Sequence, residues 1–331
     1  MAEPSTSTDV SNFRVAILTA YTTDYDIGYT CATVNRAYAK RHGYSFVCRE
    51  HPPVVCADDP RHPSWNKVSL VIECLRAILN ADDQSPVPLD TTHLLWIDAD
   101  AVVINHDKRF EELWADLPAN IELLIGEDVT LASLINAGVF SVRVSPWSLA
   151  LWEDVWSVSL GKYAWKGYFE QTCLVKQLEA RGEGLEAMCT TSTTRRGESP
   201  FHSWCGGPSG PKLFPHVCVL PRRCLNTNRC DIRDAAARER GPPHRAEDAC
   251  DFIFHAAGHP ILRRVGTNGE RTAELWTPPK GIGLRAVIYY VAGLGEPLTE
   301  EEMERAPPTV DARALKPPPP KRVRWPGRIA N

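Results

Sequence analysis

Two aspartates end an apolar run in the stretch "LLWIDADAVV", residues 94–103. Asp98 and Asp100 are two positions apart, so on an extended chain their carboxylates point to the same face. Two negative charges at a half-buried strand end repel each other, and a proton or a bound cation relieves that repulsion. The spacing therefore indicates a divalent-cation site, while a simple turn after a central strand is the alternative that the same residues allow.

Three further segments carry polar residues beside apolar runs. Asn136 and Gly138 precede the apolar strand predicted at "NAGVF", Glu170 and Gln171 open a helix at "FEQT", and His255 ends the strand of "DFIFHAAGHP". Each has a structural explanation when taken alone: a turn before a strand, an acid favoured by the helix dipole, and a histidine packed at a strand end. Their chemistry becomes specific only if the fold brings them together.

Strands and helices that alternate along the chain must position these residues. Strands are predicted at "FRVAILTAYT", "SFVCRE", "IELLIGE" and "AGVFSVRV". Helices are predicted between them, with Gly43 as a C-cap, Ser64 as an N-cap before "WNKVSLVIECLRAILN", and Ser145 as an N-cap before Pro146. This alternation predicts an α/β domain with a largely parallel sheet covered on both faces, and such sheets bind ligands at the carboxyl ends of their strands.

Composition excludes several classes of function. The chain has 331 residues, 43% of them hydrophobic, a net charge of −4 and a pI near 6.2, so we expect a globular protein without nucleic-acid partners. It has no apolar run of the roughly 20 residues that a membrane span needs, no signal-peptide pattern and no N-x-S/T acceptor. We therefore expect a soluble, cytoplasmic protein whose eleven cysteines are reduced.

The expected domain organisation is simple. Residues 1–12 are expected to be a flexible N-terminus, and residues 13–305 a single α/β domain. Residues 306–331 form a Pro-rich, basic tail that we expect to be flexible.

Taken in order, the polar segments resemble those of a known family. "LLWIDADAVV", "INAGVFSVRVSPWSLALWEDVW", "YFEQTCLVKQL" and "CDFIFHAAG" resemble the galactosyl/xylosyl/mannosyltransferase family, which includes plant xyloglucan xylosyltransferases and fungal Golgi galactosyl- and mannosyltransferases. "AYAKRHGYSF" and "SWNKVSL" are similar to two further segments of that family. The resemblance implies a GT-A fold, which is Rossmann-like, with a nucleotide-binding half, 13–110, and an acceptor-binding half, 111–305. It also implies a retaining transferase that moves a hexose or pentose from a nucleotide-diphosphate sugar to a hydroxyl acceptor.

The resemblance also implies roles for individual residues. Asp98, Asp100 and His255 would ligate the metal, and this mixed oxygen and nitrogen set suits Mn²⁺ better than the alternative, Mg²⁺. Glu170 and Gln171 would lie at the reacting carbon and the acceptor, and one of the two, Glu170 or Gln171, would stabilise an oxocarbenium-like transition state. The implied donor-binding residues are Asp98, Ala99, Lys67, Asn136, Gly138, Gly258, Thr19 and Tyr21. A basic group for the diphosphate would be His259, Arg263 or Arg264.

The implied partners are a nucleotide-sugar donor, with UDP-sugars favoured over GDP-sugars, and a carbohydrate or glycoconjugate acceptor. Familiar members of the family carry a membrane anchor and act in the Golgi lumen, whereas this sequence has no such segment. The oligomeric state, the sugar and the acceptor are not determined by any of these motifs.

Two other functions fit part of the sequence. An apolar strand followed by D-x-D also begins haloacid-dehalogenase-type phosphatases, in which Asp98 would be the nucleophile and Asp100 a general acid. That motif normally lies on the first strand, whereas here α/β segments precede it. The third hypothesis is a non-catalytic GT-A domain that binds a nucleotide-sugar, but an intact and costly charge pair is not expected in a degenerate site.

Overall fold

The computed structural model describes residues 12–23, 25–52, 61–128, 134–160, 163, 168–185, 211–226 and 252–255. Several predicted features lie outside these residues, namely residues 1–11, Gly258, the basic residues His259, Arg263 and Arg264, and the tail 306–331.

A seven-stranded sheet forms the centre of the described fold, with strand order β2-β1-β3-β6-β5-β8-β7. The strands are β1 Val15–Thr22, β2 Ser45–His51, β3 His93–Ile97, β5 Leu123–Glu127, β6 Ile135–Arg143, β7 Lys212–Leu213 and β8 Val217–Leu220. β6 pairs antiparallel with β3 and β5, and β7 pairs antiparallel with β8. The other five strands run in one direction, so the sheet is mostly parallel.

Helices cover both faces of this sheet. They are α1 Asp26–His42, α2 Asn66–Leu79, α3 Pro146–Ser157, α4 Phe169–Ala180 and a short α5 Arg222–Leu225. Side chains of β1 and β3 alternate, so that Leu18 and Trp96 pack with α2, α3 and α4, while Ile17 and Ile97 pack with α1. The predicted α/β class, with a mostly parallel central sheet covered by helices, is confirmed.

A second, two-stranded sheet lies next to the acidic pair. β4, Ala101–Val103, pairs antiparallel with β9, Ile253–His255, and the register places Ala101 opposite His255. Asn35 of α1 attaches to this sheet, because its Nδ2 donates to the carbonyl of Ala101 at 2.9 Å and its Oδ1 accepts from the amide of Val103 at 3.0 Å. This small sheet connects two distant parts of the chain.

Most of the local predictions agree with the structure. Gly43 ends α1 with a left-handed φ of 73°, as a C-cap glycine should, and Ser145 caps α3 through a hydrogen bond from the amide of Ser148. The prediction that Ser64 is the N-cap of α2 was wrong. Ser64 lies inside a 3-10 turn, Pro63–Trp65, which is capped by the ring of His62.

Two other details of the sequence prediction were wrong. Asn136 and Gly138 lie inside β6 and do not precede it. Asp98 and Asp100 lie in the turn between β3 and β4, which is closed by the hydrogen bond from the amide of Ala101 to the carbonyl of Asp98, and not on an extended strand. Among the described residues, no helix is long and apolar enough to cross a membrane. Cys48, Cys74 and Cys218 are free thiols.

Candidate metal and donor site

The turn at Asp98 is held against the neighbouring strand. The amide of Asp98 donates to the carbonyl of Gly138 at 2.8 Å, and the amide of Ala101 donates back to the carbonyl of Asp98 at 3.0 Å. This turn redirects the chain from β3 into β4 at the carboxyl edge of the sheet, where the sequence predicts a ligand site.

The carboxylate of Asp98 accepts from two side chains. Trp96 donates its indole N–H to Oδ1 at 2.6 Å, and Lys67 Nζ lies 2.9 Å from the same oxygen. Both donors are almost completely buried, and their two contacts fix the orientation of this carboxylate.

Asp100 has a different set of partners. The hydroxyl of Tyr25 donates to Oδ2 at 3.1 Å, and His255 Nε2 lies 3.2 Å from Oδ1. Burial disfavours the charge on Asp100, but His255 and Tyr25 outweigh burial and lower its pKa below the ordinary value. Burial likewise opposes protonation of His255, but the neighbouring Asp100 raises its pKa above the ordinary value.

Asp98, Asp100 and His255 form a cluster that could hold a cation. Each offers one ligand atom, and the three atoms lie within 4.8 Å of one another. Two carboxylate oxygens and one imidazole nitrogen are suitable ligands for Mn²⁺, whereas Mg²⁺ prefers an all-oxygen set. The residues therefore fit the cation that the sequence predicts.

Lys67 links this cluster to Glu170. Its Nζ lies 2.8 Å from Glu170 Oε1 and donates to the carbonyl of Ala137 at 2.9 Å, in addition to Asp98. Burial opposes the positive charge, but the two carboxylates outweigh it and raise the pKa of Lys67. Burial raises the pKa of Glu170, and the Lys67 ammonium only partly offsets this effect.

Gln171 and Asn136 belong to a second hydrogen-bond network. Gln171 Oε1 accepts from the amide of Ala137 at 2.8 Å, and its Nε2 donates to Asp128 Oδ2 at 3.2 Å. Asn136 donates to the other oxygen of Asp128 at 3.1 Å and accepts from the amide of Gly138 at 2.8 Å. Both amides therefore hold β6 in place and connect it with α4 and with the residue that follows β5.

Gly138 lies directly under the imidazole of His255. A Cβ atom added at this position would lie 2.0 Å from Cε1 of His255. No side chain fits there, because non-bonded carbon atoms do not approach so closely. This contact explains why residue 138 is a glycine, independently of any approach of its backbone to a donor sugar.

The remaining predicted donor residues lie in or beside strands β1 and β3. Ala99 is in the turn between the two aspartates, and Thr19 is buried within β1. Tyr21 donates its hydroxyl to Glu50 on β2, and its ring packs against Gly28. Tyr25, four residues after Tyr21, contacts the acidic pair through the hydrogen bond from its hydroxyl to Asp100.

Two residues with left-handed backbone angles lie next to the site. Phe169, with φ of 47°, precedes Glu170, and Leu134, with φ of 57°, begins the approach to Asn136. Non-glycine residues in this conformation cost on the order of 1 kcal/mol or more and are concentrated at functional sites. The ring of Phe169 stacks on His62 with centroids 4.0 Å apart, which secures the start of α4.

Comparisons with known proteins give only distant similarities. No protein-family model and no curated protein matches the chain. A glycosyltransferase involved in glycosylation of the major capsid of PBCV-1 is 18% identical with a TM-score of 0.47, over 79% of this chain and 98% of that one. Mouse xyloside xylosyltransferase 1 is 13% identical with a TM-score of 0.36, over 74% of this chain and 98% of that one.

A further solved structure is a Drosophila β1,4-galactosyltransferase 7 mutant in complex with manganese, UDP-Gal and xylobiose. It is 11% identical with a TM-score of 0.32, over 63% of this chain and 93% of that one. Because these scores and identities are low, we draw no conclusion about activity, donor or acceptor from them.

The sequence prediction missed several residues of the site. Asp128 follows β5, Tyr25 follows β1, and Asn226 follows α5, the short helix after β8. All three therefore lie beyond strands that end at one edge of the sheet. The rule that singled out Asp98, a polar residue after an apolar strand, applies to them as well. Asn35 had no such signal, because it lies in the middle of a helix.

Proposed function

We propose that this protein is a metal-dependent GT-A glycosyltransferase. It transfers a hexose or pentose from a nucleotide-diphosphate sugar, a UDP-sugar in preference to a GDP-sugar, to a hydroxyl group of a carbohydrate or glycoconjugate. The observation that carries this proposal is the convergence of Asp98, Asp100 and His255, whose ligand atoms lie within 4.8 Å of one another at the carboxyl edge of the sheet.

The metal ligands explain how the donor would be activated. A Mn²⁺ ion held by Asp98, Asp100 and His255 would neutralise the charge that develops on the departing diphosphate. The protein supplies three ligand atoms, so the oxygen atoms of the diphosphate and water can complete an octahedral shell. Tyr25 and His255 outweigh burial and lower the pKa of Asp100, whereas His255, whose pKa is raised by Asp100, must lose its Nε2 hydrogen before it can ligate the ion.

Lys67 and Glu170 have a second role in this proposal. The three N–H groups of Lys67 meet three protein acceptors, namely Asp98, Glu170 and the carbonyl of Ala137. We therefore assign Lys67 to the positioning of the two carboxylates and not to direct diphosphate contact. Glu170 Oε2 is buried and has no hydrogen-bond partner among the described residues, so it is available to a donor-sugar or acceptor hydroxyl.

Transfer is proposed to retain the anomeric configuration. Glu170 would stabilise positive charge on the reacting sugar carbon, while the departing phosphate takes the proton of the acceptor hydroxyl on the same face. Gln171 supports this arrangement through its bonds to Ala137 and Asp128, which keep α4 against β6. The anomeric outcome is tested by NMR of the product formed from an α-linked donor. An α-linked product supports retention, and a β-linked product contradicts it.

Thermal unfolding with a panel of nucleotide-sugars tests the transferase directly. We expect one UDP- or GDP-sugar to raise the melting temperature only when Mn²⁺ is present, because a ligand at 100 times its Kd stabilises by about 2.7 kcal/mol. Asp100→Asn should abolish this shift. Asp107→Asn, a change at an exposed aspartate of the following loop, is the matched control.

The same panel separates the transferase from its two alternatives. A shift caused by phosphate mimics with Mg²⁺, and by no nucleotide-sugar, would overturn the transferase in favour of a phosphatase that uses Asp98 as nucleophile. A metal-dependent shift with a nucleotide-sugar, combined with no donor hydrolysis or transfer in a turnover assay, would indicate a nucleotide-sugar-binding domain that is not an enzyme.

A further inference from the structure

Tyr168, the residue before α4, is one of the few large apolar side chains that the described residues expose. It is 52% exposed, whereas Phe169, the next residue, packs against the core, and Glu170 is only 4% exposed. Three consecutive residues therefore take the chain from solvent to the interior. Because two residues span at most about 7 Å, the backbone that carries the Tyr168 ring lies next to the buried carboxylate of Glu170.

This arrangement depends on a strained turn at Phe169. Its left-handed φ of 47° is unfavourable for a residue with a side chain. The ring of Phe169 stacks on His62, with centroids 4.0 Å apart and planes 3° apart, and the amide of Ser64 donates to Nδ1 of His62 at 3.2 Å. Strain of this kind persists only where the surrounding structure enforces it, and it is concentrated at functional sites.

The backbone of Tyr168 is fixed on both sides. Its amide donates to Thr172 Oγ1 at 3.2 Å, and its carbonyl accepts from the amide of Gln171 at 2.9 Å. A tyrosine ring on a fixed backbone has only two side-chain torsions left to order, so binding a ligand costs it little conformational entropy. The ring offers an apolar face, and the hydroxyl offers a polar end.

The neighbouring aromatic rings are less accessible. Trp65 is buried, and its indole N–H donates to the carbonyl of Tyr163 at 3.3 Å. Trp156 is covered by Arg61, whose guanidinium carbon lies 4.0 Å from the ring centroid. Tyr168 is therefore the most exposed aromatic ring that the structure describes beside the start of α4.

We propose that Tyr168 is an acceptor-binding residue, and that its ring packs against a pyranose ring of the acceptor. This inference rests on the proposed function, in which the acceptor hydroxyl approaches the reacting carbon beside Glu170. Glu170 Oε2 is buried and has no hydrogen-bond partner among the described residues, so a sugar hydroxyl can donate to it. The sugar that carries this hydroxyl then lies over the adjoining surface, where the C–H groups of its apolar face suit an aromatic ring.

Binding of single sugars to the full chain tests this surface without turnover. Saturation-transfer NMR with the methyl α- and β-glycosides of glucose, galactose, mannose and xylose, in the presence of UDP and Mg²⁺, shows which of them bind. We expect at least one to bind the wild type and Tyr168→Phe, which keeps the ring, and to bind Tyr168→Ala about 10-fold more weakly. The control is Leu89→Ala, which truncates an exposed apolar side chain before the amino end of β3 and should bind as the wild type does.

The melting temperature of Tyr168→Ala should stay close to that of the wild type, because the ring is exposed. A wild type that binds none of the glycosides, or a Tyr168→Ala protein that binds them with wild-type affinity, would overturn the proposal. Weaker binding in Leu89→Ala as well would also overturn it, because the effect would then not belong to this surface.

Turnover provides the second readout. Hydrolysis of the donor needs no acceptor sugar, whereas transfer to the bound glycoside does. The ratio of transfer to hydrolysis should fall about 10-fold in Tyr168→Ala and return to the wild-type value in Tyr168→Phe. An unchanged ratio in Tyr168→Ala would contradict a role in acceptor binding. If no donor is bound or turned over, the proposed function fails, while the NMR result still decides whether Tyr168 binds a sugar.

Discussion

Lys67 Nζ lies 2.8 Å from Glu170 Oε1, and both side chains are almost completely buried. The pair joins α2 to the first turn of α4, and Lys67 also contacts Asp98 at the end of β3. The Lys67 ammonium therefore contacts both Asp98, the carboxylate expected to ligate the metal, and Glu170, the carboxylate expected at the reacting sugar. Its removal would leave the buried Glu170 and the partly buried Asp98 without their counterion.

Substitution of Lys67 by Met should therefore destabilise the protein by about 3 to 5 kcal/mol, because a buried charge loses its partner. Urea unfolding measures this change. The control is Arg76→Met, which breaks an exposed ion pair with Glu153 and should cost about 1 kcal/mol or less. Equal stability of the Lys67 and Arg76 variants would contradict the buried network.

Glu170→Gln keeps the shape of the side chain and removes its charge. We expect donor turnover to fall about 10²- to 10³-fold, the usual effect of losing one transition-state-stabilising group, while Mn²⁺ affinity stays close to that of the wild type. Glu179→Gln changes an exposed glutamate on the same helix and is the matched control. If Glu170→Gln turns the donor over at the wild-type rate, Glu170 has no role in the reaction.

Gly138→Ala should displace the imidazole of His255, because the new methyl group would lie 2.0 Å from Cε1. We expect Mn²⁺ binding to be lost and the melting temperature to fall. The control is Gly182→Ala, which strains a left-handed backbone with φ of 76° but meets no neighbouring atom. Isothermal titration with Mn²⁺ distinguishes the two. Wild-type affinity in Gly138→Ala would contradict the placement of His255.

Asn35→Leu should loosen the small sheet that connects Asp100 with His255. The carbonyl of Ala101 and the amide of Val103 would lose their partners, at about 1 to 3 kcal/mol for each buried group left unsatisfied. We expect a lower free energy of unfolding and weaker Mn²⁺ binding together. Thr33→Val, which removes a hydrogen bond internal to α1, should leave Mn²⁺ binding unchanged.

The buried His93 should make stability depend on pH in the acid range. Burial, assisted by Arg143, lowers the pKa of His93 to about 3, whereas the ordinary value of 6.5 applies to the unfolded chain. Between these values the unfolded chain binds the extra proton, so stability is fully present above about pH 6.5 and falls as the pH drops towards 3.

The expected slope from this histidine approaches 1.4 kcal/mol for each pH unit below about pH 6. Urea unfolding at pH 7, 6 and 5 should give a shallower dependence in His93→Phe than in the wild type. Identical slopes would mean that the ring is protonated in the folded protein. The measurement does not involve the metal site, because His93 is at the opposite end of β3 from Asp98.

The sequence by itself determined the order and type of the main elements. Alternating apolar runs and capped amphipathic segments are local properties, so β1, α1, β2, α3 and their caps at Gly43 and Ser145 agree with prediction. The polar residues after apolar strands were also visible, because carboxyl ends of parallel strands share one edge.

Only the tertiary structure decided which of these residues meet. Asp100 and His255 are joined by the pairing of β4 with β9, and no local pattern encodes the register of strands so far apart. The same holds for Asn226 and Asn35, whose amides bond to backbone and imidazole atoms from other elements. The sequence predicted Lys67 only as a donor-binding residue, and its burial between two carboxylates depends on the packing of α2 against β3 and α4. Side-chain hydrogen bonds between distant elements depend on three-dimensional packing, which the spacing of residues along the chain does not specify.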